Sequence, residues 1–186
     1  MLPSVIRLCS GTSHMQTLAK DIEQLVQSQR MLVIDDEPYS RKVIRALLTT
    51  IGIKQIHEAS DGLSGLDAIL TVMPDIVLVD WEMPGLDGPG FLRRVRAPGI
   101  FPMPDVPIIM LTGHGERSCV IEALRLGIHE YLLKPVSSQA LLARIVSILA
   151  HPREMVRRGS FYGPLPRKAS AYKPDDPLLR DLVLLN

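Results

Sequence analysis

Residues 31–40 read MLVIDDEPYS. Four apolar residues run straight into three acids, Asp35, Asp36 and Glu37. An unbroken run such as Met31-Leu32-Val33-Ile34 fits a strand covered on both faces of a sheet. Three neighbouring carboxylates repel one another. They are either well solvated or gathered around a positive charge. Which of the two applies depends on what the rest of the chain brings to the end of that strand.

Outward from this stretch the pattern alternates. Residues 39–51 carry Val43, Ile44, Leu47, Leu48 and Ile51 at helical spacing, and Gly52 follows as a stop. IKQIHEA (53–59) reads as a less apolar edge strand. A second helix over 62–73 ends at Pro74. DIVLVD (75–80) is a buried strand, and the loop WEMPGLDG (81–88) leads into a helix near 88–96. VPIIMLT (106–112), ERSCVIEALRLG (116–127), HEYLL (129–133) and SSQALLARIVSILA (137–150) complete the series as strand, helix, strand, helix. Continuous Val/Ile/Leu strands alternating with helices predict a parallel sheet covered on both faces. Right-handed crossovers make it a flavodoxin-like, doubly wound α/β sheet of five strands in order 2-1-3-4-5 with five helices.

In such sheets the ligand lies at the carboxyl ends of the strands. The residues there are Asp35 and Asp36, Asp80, Thr112 and Lys134. Their convergence answers the opening question in favour of a cation. A hard ion with oxygen ligands, Mg²⁺ above all, offsets the acids. Asp80, at the centre, is placed as a nucleophile for a phosphoryl group. The metal, the Lys134 ammonium and the Thr112 hydroxyl would neutralise the phosphoryl oxygens.

These residues, with D-x-x-M-P-G-x-D-G over 80–88, LTG at 111–113 and EYLLKP at 130–135, resemble the receiver domain of bacterial two-component response regulators. The resemblance covers residues 29–150. It implies that Asp80 accepts phosphate and that Asp36 binds Mg²⁺ directly and Asp35 mostly through water. The Glu82 backbone carbonyl would be a further ligand. It implies a switch pair, Thr112 and Tyr131, a Lys134 that pairs with the phosphoryl group, and a cis bond before Pro135. The implied protein is no enzyme beyond phosphotransfer and slow self-dephosphorylation. It takes phosphate from a sensor histidine kinase or a phosphotransfer protein and signals to a downstream target by contact. Trp81 is expected beside the pocket and Glu82 at its rim, with His114 in a loop at its mouth. His57 and His129 are expected in strands or at the surface.

The chain has 186 residues and a net charge of +1, so no global field points to nucleic acid or membrane. Its two cysteines, Cys9 and Cys119, have no metal-ligand spacing and suit a reducing, cytoplasmic setting. Arg7 interrupts the mildly apolar start, so no secretory leader is expected. The organisation read is an extension over 1–28, the receiver over 29–150 and a tail over 151–186. Residues 15–29 read as an amphipathic helix whose apolar face is expected to pack or dimerise. REMVRRGSFYGPLPRKASAYK (153–173) reads as a basic, solvated tail, and PLLRDLVLLN (177–186) as an apolar segment that must dock somewhere.

Three outputs remain open within the receiver reading: chemotaxis-like contact, a phosphorelay shuttle and a phosphate sink. An Mg²⁺-dependent phosphohydrolase is disfavoured, because its nucleophile belongs after the first strand, no cap insertion is present and no second catalytic Asp follows Asp80 by two residues. DNA binding through the basic tail is the third class and is not expected. Homodimers are expected through the fourth helix, fifth strand and fifth helix of the series, with Arg117, Glu122, Arg125 and Arg144, or through the extensions.

Overall fold

The structure, a computed structural model, describes residues 20–113, 115 and 117–166. A helix occupies 20–27 (α1). It is followed by β1 (Arg30–Ile34), α2 (Pro38–Thr50), β2 (Gln55–Ala59), α3 (Gly62–Val72), β3 (Ile76–Asp80) and α4 (Gly88–Val95). Next come β4 (Ile108–Thr112), α5 (Arg117–Arg125), β5 (Glu130–Leu133) and α6 (Ser138–Ala150). A hairpin, β6 (Met155–Arg158) and β7 (Phe161–Pro164), closes the described chain. The five long strands form one parallel sheet in the order β2-β1-β3-β4-β5, the predicted winding. No helix among the described residues is long and apolar enough to cross a membrane.

The sheet divides the core into two layers, and strand alternation decides which residue goes where. Leu32, Ile34, Val77, Val79, Ile108 and Met110 face one side and pack with Ile69 of α3, Phe91 and Leu92 of α4 and Ala123 of α5. Met31, Val33, Ile76, Leu78, Ile109 and Leu111 face the other, against Ile44 and Leu48 of α2 and Leu141 and Ile145 of α6. β2, an edge strand, buries only Ala59, which explains its weaker apolar pattern.

Both flanks differ from a simple extension. Val26 of α1 is buried on the α2–α6 layer, and Ile22 packs beside it, so the described part of this helix serves the core. The solvated tail expected after residue 150 is wrong for 153–166. β6 and β7 pair antiparallel, and the hairpin docks at the start of β4 and β5. Tyr162 hydrogen-bonds Asp105, and Arg153 donates to the His129 carbonyl. The chain backbone itself comes close. A Cβ on Gly127, whose φ is +87°, would lie 2.4 Å from the Tyr162 carbonyl oxygen. A Gly127→Ala variant therefore meets both left-handed strain and a backbone clash. It is expected to cost about 1–3 kcal/mol and to free the hairpin. Hydrogen exchange read on the amides of 155–164 checks this, and unchanged protection would count against the docking. The segment 177–186 lies outside the described residues.

Candidate functional site

The three acids of the opening stretch separate into three roles. Glu37 caps α2: its carboxylate accepts the backbone N–H groups of Tyr39 at 3.1 Å and Ser40 at 2.6 Å, with Pro38 starting the helix. Asp35 is fully buried. Its Oδ1 accepts the Glu37 N–H at 2.9 Å, and its Oδ2 accepts the Ser40 hydroxyl at 2.5 Å. Asp36 is exposed and faces the cleft.

β3 delivers Asp80 from the neighbouring strand. The turn after it is close-packed: a Cβ on Gly88 would lie 2.5 Å from the Asp80 carbonyl oxygen. Only glycine lets the start of α4 approach so near. Asp87 then caps that helix through the Gly90 N–H at 2.7 Å. Carboxylate oxygens of Asp35, Asp36 and Asp80 all lie within 4.8 Å of one another.

From β5's far end Lys134 reaches across 99 positions of sequence to place its ammonium 2.8 Å from Asp35 Oδ2. The same nitrogen lies 2.9 Å from Asp80 Oδ1. One cation thus bridges two carboxylates while a third stands by. Burial lowers the Lys134 pKa, but hydrogen bonds and charge from Asp35 and Asp80 outweigh it and raise it above the ordinary lysine value. Asp80 shows the other side of this sharing. Burial raises its carboxyl, Lys134 pulls it back and the Asp35 charge raises it again, leaving it above the usual carboxylate range. A single ammonium therefore leaves net negative charge in the pocket, the condition that a divalent cation relieves.

The donor set fits Mg²⁺, since every group is a hard oxygen. Asp36 is exposed and open to a metal. Asp35 has both oxygens engaged, which suits contact through water. The cleft above them, about 440 Å³, is lined by Asp36, Trp81, Glu82, Met83, Pro84 and Asp87. Trp81 and Glu82 thus lie where the sequence reading put them.

Thr112 ends β4 with no exposed surface. Its carbonyl accepts the Lys134 N–H at 2.7 Å, and its side chain hydrogen-bonds Tyr131. Burial raises the Tyr131 phenol above its ordinary pKa, while the bond from Thr112 acts against it. The Lys134–Pro135 bond is cis. Asp35, Asp36, Asp80, Thr112 and Lys134 thus lie at the carboxyl edge of the sheet, while Tyr131 sits within β5, level with Met110 of β4.

Other sequence readings fare differently. His57 is exposed on β2 as expected, but His129 is buried, with Nδ1 3.4 Å from the Ile108 N–H and from an Arg96 nitrogen. His114 lies outside the described residues. Two of the charges assigned to a dimer surface are already paired within the chain: Glu122 with Arg93 at 3.2 Å and Arg144 with the buried Glu130 at 3.6 Å. Ser40, which bonds Asp35, was missed. Its position five residues on, one turn into α2, was the available signal. A larger cavity of about 580 Å³ lies at the opposite end of the strands, lined among others by Pro107, His129, Ile148, Arg153 and Met155. It gathers no acidic cluster.

The chain is similar to known proteins. The family described as "Response regulator receiver domain" matches residues 31–146. The Vibrio cholerae protein "Chemotaxis protein CheY-3" is 31% identical over 124 residues, covering 67% of this chain and 94% of that relative. The Guillardia theta "Probable transcriptional regulator ycf27" is 39% identical over 125 residues, and the chain spans 47% of its length. Among solved structures, a response regulator receiver domain protein of Clostridium thermocellum superposes with a TM-score of 0.59 at 34% identity, over 66% of this chain and 94% of that one. With a family match over more than half its length, on the fold and strand-end residues described above, the chain belongs to the response regulator receiver family.

Proposed function

We propose that the chain is a phosphorylation switch: Asp80 accepts a phosphoryl group from a sensor histidine kinase or phosphotransfer protein, and the change is read by protein contact. The observation that carries this is the Lys134 ammonium, 2.8 Å from Asp35 and 2.9 Å from Asp80, in a pocket still short of positive charge. An Asp80 carboxylate oxygen attacks phosphorus, the donor's P–N bond breaks, and the leaving imidazole takes up a proton. Lys134 pairs with one phosphoryl oxygen, and the Thr112 hydroxyl donates to another. Asp36, Asp80, the Glu82 backbone carbonyl and, through water, Asp35 would hold Mg²⁺, which would supply the remaining positive charge. When Thr112 turns to the phosphoryl group its bond to Tyr131 is exchanged, and the surface of α5, β5 and α6 is reshaped. That surface is the one offered to a downstream target or a second copy. A relay shuttle or a sink uses the same chemistry with other partners.

The test is Mg²⁺ itself. Trp81 lines the cleft with Asp36, so titrating Mg²⁺ into the full-length protein is expected to change its fluorescence. Asp36→Ala is expected to remove most of that change, and chelation to stop phosphate uptake from acetyl phosphate. Uptake indifferent to chelation would overturn the metal-dependent mechanism.

A further inference from the structure

Helix α3 leaves an apolar face uncovered. Leu63 and Leu70 stand two turns apart at i and i+7, and Met73 caps the helix, while Leu66 packs against the core. Ile69 points into the core with no exposed surface, whereas Leu63, Leu70 and Met73 are 56%, 43% and 54% exposed. Asp67, the one ionisable residue in this helix, is exposed between Leu63 and Leu70 on the same face. Apolar side chains at this spacing make the seam on which another helix lies. Three side chains fall well short of the roughly 800 Å² per partner that a stable free complex buries. A second copy or a freely diffusing partner would therefore hold weakly, and a tethered occupant is favoured.

This chain contains such an occupant. The Leu165 N–H donates to the Glu154 carbonyl at 2.9 Å, so the hairpin fixes where the chain leaves the docked body. Beyond the described residues the sequence carries Leu178, Leu182 and Leu185 at i, i+4 and i+7, with Leu179 and Val183 alongside. The linker over 167–177 reaches up to about 36 Å when extended, enough to cross a small domain. Tethering also supplies the segment at an effective concentration in the millimolar range. We propose that residues 178–185 bind the exposed face of α3, setting Leu178, Leu182 and Leu185 against Leu63, Leu70 and Met73. The site lies beside the phosphoacceptor loop, since Gly62 at the start of α3 is packed against Leu86.

Two methionines make the proposal testable in the full chain. Met73 belongs to the α3 face, and Met155 lines the cavity next to the chain's exit. In protein labelled at methionine methyls, the doubly substituted variant Leu182→Asp/Leu185→Asp is expected to move the Met73 resonance to the position of a solvent-exposed methyl. Met155 is expected to stay in place, and sedimentation to give one monomer mass for both proteins at every concentration. Leu70→Glu, an exposed position, is expected to shift the amides of 178–185 in return. A stationary Met73 overturns the proposal. So does movement of Met155 alone, which would put the segment in the cavity. A Met73 shift that grows with concentration and doubles the mass would identify a second copy as the occupant and also overturn it.

Discussion

An Asp80→Asn variant is expected to take up no acid-labile phosphate from acetyl phosphate in the presence of Mg²⁺, where the wild-type chain labels. The amide preserves the shape but offers no anionic oxygen to attack phosphorus. Loss of folding is not the cause, and the sign of the Asp80 shift says why. Burial raises the Asp80 carboxyl above its ordinary pKa despite Lys134. The folded state therefore disfavours the ionised form. Its penalty is absent at low pH and appears as pH rises through the carboxylate range. Without metal at neutral pH, Asp80→Asn is expected to melt no lower than the wild type. Labelling at the wild-type rate would remove Asp80 from the mechanism, and a marked drop in melting temperature would mean that the Lys134 pair outweighs burial. Lys134→Ala makes a graded comparison: with Asp80 intact but one phosphoryl contact gone, uptake is expected to fall by about 10²–10³-fold.

Much of this was legible in the sequence because parallel sheets write themselves plainly. Strands covered on both faces must be continuously apolar, so MLVI, IVLV and IIML could be read as β1, β3 and β4 without alternation to guide them. The winding rule then placed Asp35, Asp36, Asp80, Thr112 and Lys134 on one edge before any distance was known. What the pattern could not give was the division of labour within DDE. Asp35, Asp36 and Glu37 are chemically near-identical in sequence. Their fates, buried acceptor, cleft carboxylate and helix cap, follow from the direction in which the backbone turns after Ile34. The hairpin was illegible for another reason. VRRGSFYGP has exposed arginines on one strand, two prolines nearby and little apolar alternation, so it reads as tail. Its order comes from contacts distant in sequence: Gly127 against the Tyr162 carbonyl, Asp105 with Tyr162 and the His129 carbonyl with Arg153. Local pattern carries no trace of such pairings.

Arg96 is the sharpest case of a residue whose role sequence conceals. An arginine just after a helix reads as a solvated end, since arginines are mostly exposed. Here it is 7% exposed and ties together the ends of three elements. Its Nε donates to the Gly127 carbonyl at 2.9 Å, one Nη to Pro104 and the other to Val106 at 2.8 Å. Burial pushes its pKa down to about 9, against the pull of Asp105 and Tyr162, which leaves it protonated at neutral pH. Arg96→Ala removes every donor at once. Two buried carbonyls and one half-buried carbonyl lose partners at about 1–3 kcal/mol each, and relief from burying a charge offsets part of the sum. The expected net loss is about 3–5 kcal/mol, or a melting temperature lower by about 6–20 °C for a chain of this size. Because the carbonyls belong to the segments leading into β4 and β5 and to the turn under the hairpin, protection of 155–164 is expected to fall with it. Arg96→Lys keeps the charge but replaces the planar fork with one point donor, so it is expected to recover only part of the loss. Urea unfolding of the three proteins measures this. A loss under about 1 kcal/mol for Arg96→Ala would show that water satisfies the three carbonyls and that the guanidinium does not hold these ends together.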